Sequence, residues 1–69
     1  MRISARNMLK GKVKSITHGP VSAEVVITVA NGIELTSVIT DSAANELELK
    51  KGTEVYAVIK ASNVMIAID

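Results

Sequence analysis

Two β-branched runs meet at Asn31-Gly32, and this junction constrains the fold more than any other part of the chain. "AEVVITV" (residues 23–29) precedes it and "IELTSVIT" (33–40) follows. β-Branched side chains fit a pleated surface, and Asn-Gly supplies two residues that enter the left-handed backbone region cheaply, as a two-residue hairpin turn requires. The runs are therefore expected to pair antiparallel. In the second, Ile33, Leu35, Ser37 and Ile39 alternate with Glu34, Thr36, Val38 and Thr40, the period of a strand with one covered face.

The remaining segments extend that hairpin. "KGKVKSIT" (10–17) reads as a strand with one wet face, Val13 and Ser15 on one side and Ile16 on the other. "THGPVS" (17–22) is a turn, because Gly19-Pro20 interrupts regular structure. After Thr40 the pattern changes. "TDSAANELELKKG" offers Asp41 or Ser42 as an N-cap, helix formers behind it, Leu47 and Leu49 to close a short helix, and Gly52 as its stop. Lys50 and Lys51 lie near the negative end of such a helix. "TEVYAVIKA" returns to β, and residues 64–68 read as a last short strand. Five strands with one helix between the third and fourth describe an all-β, small OB-like Greek-key barrel. There is no internal repeat, low-complexity tract or linker, so residues 1–69 form one domain.

A chain of 69 residues buries too little surface to be stable with ease. Small domains compensate with disulfides, metals or association. This one has no cysteine and a single histidine, His18, which leaves neither disulfides nor an all-protein zinc site. Association remains. Nearly half the residues are hydrophobic (48%) although Tyr56 is the only aromatic, so aliphatic surface is expected to meet another subunit.

The formal charge is +1, without the clustered basic patch of a nucleic-acid binder, and one aromatic is too few for base stacking. The N-terminus lacks the apolar run of a secretory signal and no stretch is long enough to span a bilayer. A cytoplasmic protein without nucleic-acid or membrane partners is expected.

Catalytic parts are missing. His18 has no Ser and Asp at a spacing that would make a triad, and the glycines at 11, 19, 32 and 52 are separate turn residues rather than a phosphate loop. The acids are spread among lysines and read as solvated faces. Two polar clusters remain. Ser4 and Arg6, two residues apart, point to one side of an extended chain, and the planar fork of Arg6 matches a pair of oxyanion oxygens. Lys60 carries a second charge, beside Ala61 and Ser62 whose backbone N–H groups can face an anion where the chain turns. Taken alone, each cluster is read more simply as a solvated strand end. His18 with Gly19 is a further possible anion contact, although a solvated turn histidine is the simpler reading. The hydroxyls of Thr36, Ser37 and Thr40 by themselves follow from β-propensity.

Together, "ISARNMLKGKV", "LTSVIT" and "VIKASNVMIA" resemble the molbindins, the small molybdate-binding Mop proteins, in the same order from Ile3 to Ala67. The resemblance implies an OB-like barrel assembled as a hexamer, a trimer of dimers, holding molybdate or tungstate between subunits. It implies oxyanion contacts from Ser4, Arg6, Thr40 and Lys60, with Ala61 and Ser62 beside that lysine, while Ala5, His18 and Gly19 are further candidates from the residues themselves. The family often carries a serine three residues after the threonine, where this chain has Ala43. Ser42 stands one position earlier, and either it takes that contact through a shifted turn or the contact is absent.

The expected function is thus reversible binding of molybdate or tungstate for storage or homeostasis, with no catalysis, no cofactor and contacts to oxyanion oxygens rather than to the metal. The rival is a small OB-fold module that binds nucleic acid or a protein.

Overall fold

A computed structural model describes residues 1–69 as four strands, one α-helix and two single 3₁₀ turns. The strands are β1 (Asn7–His18), β2 (Ser22–Thr28), β3 (Glu34–Thr40) and β4 (Glu54–Ile59), and helix α1 (Asp41–Glu46) lies between β3 and β4. They form one sheet in the order β3-β2-β1-β4, every neighbouring pair antiparallel. Three consecutive strands with a fourth returning beside the first is the Greek-key arrangement.

The Asn-Gly hairpin forms as its sequence requires. Asn31 (φ 62°, ψ 24°) and Gly32 (φ 73°) are both left-handed, the twist that suits a two-residue connection. The Ile33 N–H donates to the Ala30 carbonyl at 3.4 Å and the Val29 N–H to the Ile33 carbonyl at 2.8 Å. β2 and β3 then pair from Thr28–Glu34 to Ser22–Thr40.

β1 departs from the expected alternation. Its pairing with β2 shifts between Val13 and Ser15, a bulge that absorbs Lys14 and returns Ile16 to the face of Val13. Both pack on the core cluster of Val13, Val25 and Ile27, together with Ile39, Leu49 and Val55. Gly11 lies where β1 crosses the end of β2, and a Cβ there would overlap the carbonyl oxygen of Thr28.

The helix begins and ends earlier than expected. Thr40, not Asp41 or Ser42, is its N-cap: the Thr40 Oγ1 accepts from the Ala43 N–H at 3.1 Å. Glu48 enters the left-handed region (φ 54°) and ends the helical path, so Gly52 (φ 91°) serves the following turn instead. That turn is tied to mid-β1 by Gly52 N–H to the Val13 carbonyl (2.8 Å) and Val13 N–H to the Thr53 carbonyl (3.0 Å).

The fifth strand is absent from the single chain. After a 3₁₀ turn at Ala61–Asn63, residues 64–68 join no ladder and project outward, with Met65 92%, Ile66 86% and Ile68 94% exposed. A strand is defined by its neighbour, and this segment has none within its own chain. The barrel is correspondingly open, a half-barrel whose edges β3 and β4 face each other across an apolar seam lined by Ile27, Leu35, Ser37, Tyr56, Ala57 and Ile59. Only five residues are buried, none larger than Ile27. No helix is long and apolar enough to cross a membrane.

Candidate functional site

Antiparallel pairing of β1 with β4 brings the two ends of the chain together. The last matched residues are Asn7 and Ile59, and the Asn7 Nδ2 donates to the Ile59 carbonyl at 3.2 Å. One residue beyond this pair on each segment stand Arg6 and Lys60. An open recess of about 630 Å³ lies there, lined among others by Ser4, Ala5, Arg6, Lys60, Ala61 and Ser62. More than fifty residues apart in sequence, both polar clusters share one concavity.

The recess is cationic and rich in donors. No carboxylate lines it, and neither Arg6 nor Lys60 enters an ion pair, the salt bridges being Lys10–Glu54, Lys14–Glu34 and His18–Asp41. The 3₁₀ turn after Lys60 closes through Asn63 N–H to the Lys60 carbonyl (2.8 Å) and Val64 N–H to the Ala61 carbonyl (3.2 Å). The preceding N–H groups, of Ala61 and Ser62, enter no backbone bond, as expected of the first amides of a helical turn. Two cations, two side-chain hydroxyls and two amides free of backbone bonds thus belong to the residues that line one recess open to solvent. Such a set suits an anion with several oxygens. No three His, Asp or Glu side chains gather as they would around a bare cation.

Thr40, Ser42, His18 and Gly19 lie elsewhere. Thr40 pairs with Ser22 and His18 with Ala23, so all four sit at the end of β1 opposite Asn7. Eleven residue steps of about 3.3 Å give that strand a length of at most roughly 35 Å, less where the bulge at Lys14 bends it. At this second end the Ser42 Oγ lies 3.4 Å from the Thr40 Oγ1. Because Thr40 accepts from Ala43 N–H with a lone pair, its own proton stays available for donation. The two ends of one molecule cannot touch the same small ion.

Asn7, whose side chain ties the two chain ends together, is a residue that sequence reasoning did not single out. Its signal was available, since it directly follows Arg6 at the start of a strand, but its partner is a carbonyl 52 residues away.

A family model described as the TOBE domain matches residues 3–66. Molybdenum-pterin-binding protein 3 of Clostridium pasteurianum is 52% identical over 66 residues, covering 96% of this chain and 97% of the relative. Among solved structures, a molybdate-binding protein from Sporomusa ovata superposes with a TM-score of 0.93 at 37% identity, over 99% of this chain and all of that one. The cytoplasmic molybdate-binding protein ModG, with molybdate bound, superposes with a TM-score of 0.85 at 48% identity, over 88% of this chain and 43% of that one.

Proposed function

The chain belongs to the TOBE-domain family and, within it, to the molybdenum-pterin-binding (Mop) proteins, and on that premise we propose that it binds molybdate or tungstate reversibly, for intracellular storage or homeostasis. The observation that carries this reading is the recess in which Arg6 and Lys60 meet with no carboxylate beside them. A tetrahedral dianion there is neutralised by two cations. Arg6 engages two oxygens through its fork, and the Ser4 and Ser62 hydroxyls with the Ala61 and Ser62 amides serve the others. The metal arrives already wrapped in oxygen, so the chain contacts oxygens only and performs no chemistry on the ion.

In this proposal the functional unit is an assembly, a hexamer built as a trimer of dimers. Two features support association. Five small buried side chains are a meagre core, and the exposed aliphatic tail at 64–68 has the pattern and length to act as the missing fifth strand in the open seam of another copy. Assembly also allows Thr40 and Ser42 of one copy to approach the Arg6–Lys60 recess of another. The adjacency of the Thr40 and Ser42 hydroxyls favours Ser42 as the contact that stands in for a serine at position 43. A cytoplasmic location accords with the description of the similar ModG.

Native mass spectrometry with and without molybdate tests the proposal, since it reports subunit number and anion stoichiometry together. A hexamer that gains discrete molybdate masses is expected. A monomer unaffected by molybdate, with salt-sensitive binding to oligonucleotides instead, overturns it in favour of an OB-fold nucleic-acid module.

A further inference from the structure

The residue that follows Arg6 closes the ladder on which the recess is built. Asn7 and Ile59 are the last matched pair of β1 and β4. The Asn7 Nδ2 donates to the Ile59 carbonyl at 3.2 Å, and because a carbonyl only accepts, the amide nitrogen is the atom that must face it. That carbonyl belongs to the peptide group joining Ile59 to Lys60. One side chain, mounted next to Arg6, therefore grips the peptide plane from which Lys60 departs.

Nothing else ties the two segments beyond this point. No backbone hydrogen bond joins residues 1–6 to residues 60–69, the only bonds there being the two that close the 3₁₀ turn after Lys60. No other side-chain hydrogen bond lies at this end, and Arg6 and Lys60 enter no ion pair. Arg6 stands in a bend of the chain, outside any strand. Two like charges at the end of a ladder repel each other, and chain ends fray first. The Asn7–Ile59 bond is the contact that opposes both.

The Asn7 side chain does not reach the anion site itself. It is half-buried and lines a neighbouring recess of about 360 Å³ with Met8, Leu9, Ile59 and Val64, and it is absent from the lining of the anion recess. Arg6 belongs to both. The bond is thus made behind the two cations, among apolar side chains that partly shelter it from water, where a hydrogen bond is stronger than on an open surface.

We propose that Asn7 is a positioning residue for the oxyanion site: its bond to the Ile59 carbonyl holds Arg6 and Lys60 at the spacing of a large tetrahedral dianion, and so sets the preference for molybdate over the smaller sulfate. The inference rests on the oxyanion-binding function proposed above. With the bond in place, donors fixed for the larger ion cannot all close on the smaller one. Without it the two segments move independently. The larger ion then loses part of its preorganised contacts, and the donors adjust to sulfate at less cost. Molybdate affinity therefore falls more than sulfate affinity. By reciprocity, a bound molybdate stabilises the Asn7–Ile59 bond by the same factor.

The test is isothermal titration of molybdate, and of sulfate by competition against it, at one pH and ionic strength, on the wild type and two variants. Asn7→Leu keeps the approximate shape of the side chain and removes the donor. Asn7→Asp is isosteric and, ionised, has no proton to donate. Its added charge opposes both dianions alike and cancels in the ratio of their affinities. The molybdate-to-sulfate affinity ratio is expected to fall about three- to tenfold in both variants, the scale of one hydrogen bond. Melting curves and sedimentation accompany the titrations, because a purely structural role would lower stability or assembly and leave the ratio of the folded protein unchanged. A second readout needs no variant: saturating molybdate should slow the exchange of the Asn7 side-chain amide protons with water. An unchanged ratio in both variants, amide exchange unaltered by molybdate, or a wild type that binds sulfate as tightly as molybdate overturns the inference while leaving anion binding intact. Absence of molybdate binding by the wild type overturns the binding function itself.

Discussion

Arg6 and Lys60 stand one residue beyond Asn7 and Ile59, the last matched pair of β1 and β4, and the Asn7 Nδ2 bond to the Ile59 carbonyl at 3.2 Å secures that end of the ladder. The separation of these two cations is thereby set by strand register rather than by flexible loops. In the proposed binding mode, an anion in the recess offsets the repulsion between the two cations that line it.

Removal of either cation is the direct test. Arg6→Ala and Lys60→Ala should each weaken molybdate binding by roughly 1.5–3 kcal/mol, the range for hydrogen bonds to charged groups. The double variant should depart from the sum, because both residues act on one partner. Arg6→Lys should recover part of the loss, since an ammonium lacks the planar fork. Titration calorimetry of the four variants beside the wild type decides it, with assembly checked by sedimentation. Unchanged affinity in Arg6→Ala with assembly intact would remove the recess from the binding site.

Size selectivity separates a shaped site from a basic patch. Molybdate and tungstate, alike in charge and nearly in shape, should bind comparably. Sulfate has the same charge but is smaller, so fixed donors cannot all reach it, and chloride offers no tetrahedral oxygens. Competition titrations should show sulfate displacing molybdate only weakly. Equal competition would mean that charge alone holds the anion.

The projecting tail should be indispensable for assembly. A chain ending at Asn63 loses Met65, Ile66 and Ile68, each at least 86% exposed in the single chain. Sedimentation equilibrium should show the full chain as a hexamer and the shortened chain as a smaller or unfolded species. A truncated protein that still forms the same assembly would show that 64–69 is not the missing strand.

Thr40 caps α1 and is proposed above as an oxyanion donor as well. Thr40→Val deletes the hydroxyl that caps α1 and should cost about 1 kcal/mol of stability, read as a lower melting temperature at fixed protein concentration. Thr40→Ser keeps both cap and donor and should retain stability and molybdate affinity. A stable Thr40→Val variant would show that the cap bond contributes little in the assembled protein.

The hairpin at Asn31-Gly32 was legible because its two signals, β-branched runs and a turn that needs left-handed residues, are both local. The bulge at Lys14 was not: nothing in "KGKVKSIT" indicates that Ile16 returns to the face of Val13, and the reason lies in packing against Val25 and Ile27 on the neighbouring strand. Thr40 as the cap was similarly hidden, because it is also the last residue of β3 and Asp41 and Ser42 are equally good capping types. The tail at 64–68 shows the same limit from the other side. Its pattern is that of a strand, yet a pattern specifies which face is apolar and cannot supply a neighbour.

The sequence by itself determined the four strands that pair, a short helix after the third and the donor chemistry of Ser4, Arg6, Lys60 and Ser62, and it over-counted by one strand at 64–68. Those properties depend on turn residues, side-chain period and composition, which act over a few residues at a time. Only the tertiary structure decided that β4 returns beside β1. That pairing brings Arg6 and Lys60 to one recess and leaves Thr40, Ser42 and His18 at the far end of one twelve-residue strand. Strand pairing is a choice among distant segments, made by the whole core at once, and no local stretch of the chain carries it.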